Sequence, residues 1–128
     1  MNRQREERGQ ALVEFALVSV MLFTLVVAMA DFARLYFTYS SMNNAAREGT
    51  RYGVVNPNDL DGIRARTEAL LVVFSSEPEV EVSFPDGGSR AVGARVRVRV
   101  TSEFGLLVIP VPPFEMVADS TMRIETVP

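Results

Sequence analysis

One acidic residue stands out for the chemistry it could perform: Glu14, near the start of a long apolar run. Between Ala11 and Ala30, only Glu14, Ser19 and Thr24 carry polar side chains. A carboxylate inside a lipid bilayer is unfavourable, and it usually marks a functional contact with a partner that must be identified. Glu14 is therefore the first candidate functional residue.

The composition argues against catalysis. The chain has 128 residues and no Cys, His or Trp, and all 13 of its basic residues are Arg. The usual general bases, thiolate metal ligands and amine nucleophiles are therefore missing. We expect no catalytic residues, no metal, no cofactor and no small-molecule substrate. The net charge of −3, and arginines interleaved with valines in one strand, argue against nucleic-acid binding.

The apolar run is long enough to cross a membrane. About 20 residues in a helix extend roughly 30 Å, the thickness of the hydrocarbon core. Three arginines precede the run within residues 1–9, and this charge distribution predicts a cytoplasmic N-terminus with the later residues outside. The sequence thus predicts a cytoplasmic leader (1–9) and a single span (11–30) in the cytoplasmic membrane.

A cleaved secretory signal is an alternative interpretation of the same run. Ala28-Met29-Ala30 supplies a small-x-small tripeptide at its far end, as a signal cleavage site requires. The full spanning length and the continuation of the helical pattern beyond Ala30 favour the membrane span.

Beyond the run, apolar and small residues recur every three or four positions until Asn56-Pro57 stops the pattern. This predicts one helix from about Arg8 to Tyr52, within a long-helix segment of residues 10–53. Two ion pairs at i,i+3 are expected along it, Asp31 with Arg34 and Glu48 with Arg51.

Residues 54–128 are predicted to form a small α+β head. Asp59 or Asn58 could cap a second helix, from about Leu60 to Ser75, with a buried face of Ile63, Thr67, Leu70, Leu71 and Phe74. Strict alternation and a Pro-Asp-Gly-Gly turn predict an antiparallel hairpin, and a third strand follows; the segments are Glu79–Phe84, Ala94–Thr101 and Glu115–Val127.

Charges and apolar residues in the head suggest two further contacts. The outward arginines of the hairpin, Arg95, Arg97 and Arg99, are expected to pair with Glu79 and Glu81 across the strands. The stretch from Phe104 to Phe114 is apolar but broken by glycine and proline. It could be a loop that covers the open end of the core, or an exposed contact patch for a neighbouring subunit.

The start of the chain resembles a known signal. A charged leader ending in Gly9, followed by Gln10-Ala11-Leu12-Val13-Glu14-Phe15, resembles the class III signal of type IV pilins. The resemblance implies cleavage by a prepilin peptidase between Gly9 and Gln10, which makes Glu14 the fifth residue of the product. The new α-amino group at Gln10 would lie one helical turn from Glu14, and either it or the amine of an adjoining subunit could pair with that acid.

A second stretch narrows the resemblance. Asp31-Phe32-Ala33-Arg34 and a later motif are similar to the TadE-like family of pseudopilins from the tight adherence system; the motif residues are Asn44, Ala45, Ala46, Arg47, Glu48, Gly49, Arg51 and Tyr52. The resemblance implies a type IV pilin-like fold and a minor, non-enzymatic subunit needed for pilus assembly. The implied partners are membrane lipid, the prepilin peptidase, other pilin subunits and the assembly platform. We expect Gly49 and Ala45-Ala46 to allow close approach of the head.

Two alternatives differ in function. The chain could be the principal subunit of the filament, which abundance in sheared filaments would decide. It could instead be an uncleaved, single-pass anchor for an extracytoplasmic binding or adaptor module, and the first residue of the mature chain separates that interpretation from a pilin.

Overall fold

The fold is organised by one long helix. A computed structural model describes residues 3–73, 76–108 and 111–125, with side chains from Arg8 onward. Helix α1 runs from Arg3 to Val55, about 80 Å at 1.5 Å per residue. It therefore begins before and ends after the predicted limits of Arg8 and Tyr52. No proline precedes Pro57 to interrupt its hydrogen bonds.

The first half of α1 carries a continuous apolar surface. Large apolar side chains from Leu12 to Met29 are 40–78 % exposed. Among the described residues, α1 is the one helix that is long and apolar enough to cross a membrane. So much contiguous apolar surface requires lipid or other protein against it.

The remaining elements form the head, defined here as residues 60–125. It contains helix α2 and a three-stranded antiparallel sheet of order β1-β2-β3; their limits are Leu60–Glu68 (α2), Glu79–Ser83 (β1), Arg95–Phe104 (β2) and Phe114–Arg123 (β3). This arrangement confirms the predicted α+β fold class. The last two residues of the predicted third strand, Thr126 and Val127, lie outside the described residues.

The sheet packs against the second half of α1. Alternate residues of β2, from Val96 to Phe104, are buried, because period-two alternation places them all on the face toward the helix. One buried cluster joins Met42 and Ala46 of α1 to Val100, Phe104, Met116 and Ala118 of the sheet. A second joins Val54 to Val96 and Ile124. The core of the head is therefore shared with α1.

Helix α2 is shorter than predicted. Ile63 and Thr67 are buried as expected, but the helix ends at Glu68 rather than near Ser75. The reason lies on α1, where the Ser41 hydroxyl donates to the Leu70 carbonyl (3.0 Å) and accepts from the Val72 N–H (2.7 Å). These bonds tie the chain after α2 to α1, and Leu70 is 46 % exposed. Phe74 and Ser75 lie outside the described residues.

Arg95 and Arg97 of β2 form ion pairs with residues other than the predicted glutamates. Arg95 binds Asp86 at 2.7 Å, and Arg97 lies 3.9 Å from Asp119 on β3. Hydrogen bonds from the Arg95 side chain and backbone hold the pKa of Asp86 below its usual value. Although Glu81 lies opposite Arg99 in the register, the described side chains show no ion pair of either strand glutamate with these arginines.

Candidate functional site

The residues of the predicted processing site lie exposed on α1. Gly9, Gln10 and Glu14 are all accessible to solvent. The side-chain amide of Gln10 donates to Glu14 Oε1 at 3.1 Å. A Cβ placed on Gly9 would meet nothing within 4 Å. One helical turn thus brings position 10 within hydrogen-bonding reach of the acid.

Glu14 has no cationic partner within the part of the chain whose side chains are described. No basic group there lies within 4 Å of its carboxylate. Its neighbours along α1 are apolar and exposed, and none of the described side chains neutralises its charge. This arrangement can register one helix against another, but it offers no nucleophile with an adjacent base.

Asp31, directly after the apolar run, joins the helix to the head. The residue is only 3 % exposed. Oδ1 accepts from Arg34 at 3.1 Å, which confirms the predicted i,i+3 pair. Oδ2 accepts from the backbone N–H groups of Leu107 (2.9 Å) and Val108 (3.1 Å). Sequence reasoning missed this second role, and the signal that could have found it was a lone acid at the end of the apolar run.

The motif residues divide between two sides of α1. Ala45, Ala46 and Gly49 are buried against the head, whereas Asn44, Arg47 and Arg51 are exposed. Thr50 adds a polar link, with its hydroxyl 3.2 Å from the Ser120 carbonyl of β3. The ion pair expected between Glu48 and Arg51 does not form among the described side chains; Glu48 is half-buried and Arg51 is exposed.

Gly49 lies at the closest contact between α1 and α2. A Cβ at this position would overlap Thr67 Oγ1, and it would lie 3.3 Å from Thr67 Cβ and 3.4 Å from the Ile63 carbonyl oxygen. Thr67 is fully buried and its hydroxyl donates to that same carbonyl at 2.8 Å. The close approach that the sequence suggested at Gly49 is confirmed.

Tyr52, the last motif residue, positions the start of α2. Its hydroxyl donates to Asp59 Oδ2 at 2.7 Å, while Asp59 Oδ1 accepts from the Gly62 N–H at 2.9 Å. Of the two N-cap residues proposed from the sequence, Asp59 is therefore the one that caps α2. The hydrogen bond from Tyr52, and then that from Gly62, lower the pKa of Asp59; the pKa of Tyr52 is raised by the same contact.

The Gly49 contact makes a testable prediction about stability. Gly49→Ala is expected to lower the free energy of unfolding, because overpacking of about 1–3 kcal/mol outweighs a gain in helix propensity of up to about 1 kcal/mol. In a Thr67→Ala background the overlap is removed, and the same change is expected to be neutral or stabilising. The free energy of unfolding is measured by urea titration of the full chain in detergent, monitored by circular dichroism, for the natural chain, the two single variants and the double variant.

This double-mutant cycle isolates the contact. We expect a coupling free energy of about 1–3 kcal/mol between the two positions. An equal effect of Gly49→Ala in both backgrounds would show that the glycine is there for another reason.

Together, the fold and the helix define a class of protein: a pilin-like chain in which a long apolar helix, compatible with a single-pass membrane anchor, carries a small α+β head. A family model described as TadE-like protein matches residues 9–51, about a third of the chain. Residues 9–51 are thus similar to the TadE-like family, as the motifs suggested. Searches of curated proteins and of solved structures gave no significant match.

The matched segment covers the features described above. It begins at Gly9, contains the whole apolar run and Asp31, and ends at Arg51 within the motif. TadE-like proteins are a structural type of pilus family rather than an enzymatic one. The similarity and the span-like helix together fit a subunit related to the tight adherence pilus, which interacts with other pilus components.

Proposed function

We propose that this chain is a minor pseudopilin, an assembly subunit of a tight adherence pilus. A prepilin peptidase cuts it between Gly9 and Gln10, and residues 11–30 hold it in the cytoplasmic membrane with the head outside. The observation that carries the proposal is the coincidence of two features: the TadE-like match, which starts at Gly9, and an exposed apolar helix whose acid, Glu14, has no ion pair among the described side chains.

The exposed half of α1 supports assembly by side-by-side packing. In the membrane, its apolar side chains contact lipid; in a filament, the same side chains can contact neighbouring helices. Apolar contact alone sets no register between two such helices. The Glu14 carboxylate sets it, because an amine at Gln10 of the same or an adjoining subunit is the nearest charge that can neutralise it in a medium of low dielectric.

The arrangement of segments along the chain is also consistent with removal of the leader by a peptidase. We assign residues 1–9 to a leader, 10–53 to the long helix and 54–128 to an extracytoplasmic part that contains the head. The first contact of α1 with the head is at Asp31, roughly 32 Å along the helix from Gln10. Removal of the leader therefore leaves the packing of the head unchanged, and a cut and an uncut chain present the same head.

An uncleaved single-pass anchor for an adaptor module is the second candidate. The observation in its favour is that α1 continues without a break through Gly9 and Gln10. Backbone groups at the proposed cut are engaged in the helical ladder, so a peptidase must unwind the helix locally before it can reach the bond.

The deciding experiment is the intact mass of the protein extracted from membranes. We expect a chain that begins at Gln10. A chain that begins at Met1 or Asn2 would support the uncleaved anchor, and one that begins after Ala30 would identify a secretory signal. Abundance of the mature chain in sheared filaments then separates a minor from a principal subunit.

A further inference from the structure

The two ends of the head differ sharply in polarity. The β2–β3 connection has no charged residue from Gly105 to Phe114. The β1–β2 connection, at the other end of the sheet, contains Asp86, Ser89 and Arg90. We use the name apolar loop for the described part of the β2–β3 connection, residues 105–108 and 111–113.

The apolar loop lies at the end of the head nearest the span. Strand β2 runs antiparallel to α1, since its first residues pack near Val54 and its last residue, Phe104, packs on Met42. The loop that follows is fastened to Asp31 by the two backbone hydrogen bonds of Leu107 and Val108. Asp31 immediately follows Ala30, so the loop is level with the end of the apolar run.

That level corresponds to the boundary between hydrocarbon and headgroups. If residues 11–30 fill the hydrocarbon core, Asp31 lies about 1.5 Å beyond its edge, within a headgroup layer of about 5–7 Å on each side. Phe32 and Tyr36, in the next turn of α1, are 68 % and 66 % exposed. Exposed aromatic rings at this depth are typical of a membrane interface.

The loop itself is suited to an environment poor in water. Leu107 is 74 % exposed and Val111 is 48 % exposed, although both are apolar. Pro112 and Pro113 have no backbone N–H group that would need a partner, and Asp31 already satisfies those of Leu107 and Val108. The Asp31 charge in turn is balanced by Arg34. These two N–H groups are therefore already paired, and the side chains of the apolar loop carry no polar group that would need water.

We propose that the apolar loop is a second membrane contact, whose exposed side chains insert into the interface of the leaflet next to the head. The proposal depends on the assignment of residues 11–30 as the span, but not on cleavage or on assembly. The structure favours the bilayer as the partner of this loop, because the loop lies at the same level along α1 as the end of the span. A head held at two points, by α1 and by the loop, cannot rotate or tilt freely about the helix.

The absence of Trp from the sequence allows a clean test by single-tryptophan fluorescence. Leu107→Trp reports on the loop, Phe23→Trp on the middle of the span, and Val92→Trp on the opposite end of the head. Val92 is a matched control, since it is an apolar loop residue with 64 % exposure, at the end of the head roughly 35 Å farther along α1. Each variant of the full chain is reconstituted in vesicles with and without brominated lipid, and excitation is chosen to avoid tyrosine.

Brominated lipid is expected to quench more than half of the emission of L107W and F23W, and little of that of V92W. Quenching of L107W no stronger than that of V92W, with F23W quenched, would overturn the proposal and leave the span intact. A blue-shifted L107W emission that brominated lipid does not quench would place the loop against protein, and this also overturns it. An unquenched F23W would instead remove the span on which the proposed function rests.

Discussion

Gly9→Glu is expected to block processing and to leave a membrane-held precursor that retains residues 1–9. Helix α1 passes through the proposed cut, so the peptidase must unwind it there. Glycine makes this easier, since it disfavours the helix by up to about 1 kcal/mol relative to alanine. Glutamate removes this advantage and adds a long charged side chain beside the bond to be cut.

The structure separates this effect from a folding defect. Nothing lies within 4 Å of a Cβ built on Gly9, and glutamate is a good helix former. The variant should therefore insert, and its head should fold as in the natural chain. Loss of the cut in Gly9→Glu would then reflect recognition by the peptidase.

Two controls accompany the measurement, which is the intact mass of the protein from membranes. Gln4→Glu adds the same negative charge elsewhere in the leader, and we expect it to be processed normally. Gly9→Ala adds only a methyl group, and we expect slower but complete processing. If Gly9→Glu yields a chain starting at Gln10 at the natural rate, glycine at position 9 is not required for cleavage.

Local sequence patterns predicted the elements that depend on local physics. The apolar run and the three- and four-residue spacing beyond it predicted α1, which needs only a continuous hydrogen-bond ladder and no proline. Strict alternation in β2 predicted the buried valines, because successive side chains of a strand point to opposite faces. The same local reasoning narrowed the N-cap to Asp59 or Asn58, since the cap bond spans three residues, and the structure selects Asp59.

Contacts between distant parts of the chain were not predictable in this way. The segment after α2 is tied to α1 by Ser41, whose hydroxyl bonds to the backbone of Leu70 and Val72 in place of further helical bonds. The apolar pattern of that segment fitted a helix equally well, so periodicity alone gave the wrong limit. Similarly, the partner of Arg97 is Asp119 of β3, a choice set by a strand order that the hairpin pattern does not contain.

The candidate site shows the same division. The Asp31–Arg34 pair was predictable because the two residues lie one turn apart. The bonds from Asp31 to Leu107 and Val108 join residues more than 70 positions apart. Only the antiparallel packing of β2 on α1 brings them together. Asp31, a buried acid directly after the apolar run, thus owes its contact with the head to the tertiary structure.

Glu14→Val is expected to leave the chain inserted and cleaved but to abolish or strongly reduce piliation. Insertion should not suffer, because an acid at mid-depth in a membrane costs about 2.5–3.5 kcal/mol, and less near the edge, whereas valine is favourable there. Within the described side chains, the substitution removes the hydrogen bond that Glu14 accepts from the Gln10 amide at 3.1 Å. Since that bond is exposed and local to one turn of α1, a defect in assembly would arise between subunits.

The expected size of the effect follows from Coulomb's law. Two unit charges about 4 Å apart attract by about 4 kcal/mol at an effective dielectric constant near 20. If only about half of this survives desolvation, the association of two subunits weakens by about 2 kcal/mol and its equilibrium constant falls about 30-fold. Because the contact of this chain with a neighbouring subunit depends on the charge pair, a decrease of this size hinders its incorporation into the assembly, and piliation falls with it.

Thr24→Val is the matched control for this prediction. Thr24 is also a polar residue of the apolar run, but its hydroxyl donates to the Val20 carbonyl of its own helix at 2.8 Å. It needs no partner from another subunit, so piliation should stay at the natural level. Filament counts by electron microscopy, with the intact mass of each variant, measure both results. Natural piliation in Glu14→Val would remove the charge pair as the source of register and leave apolar packing to provide it.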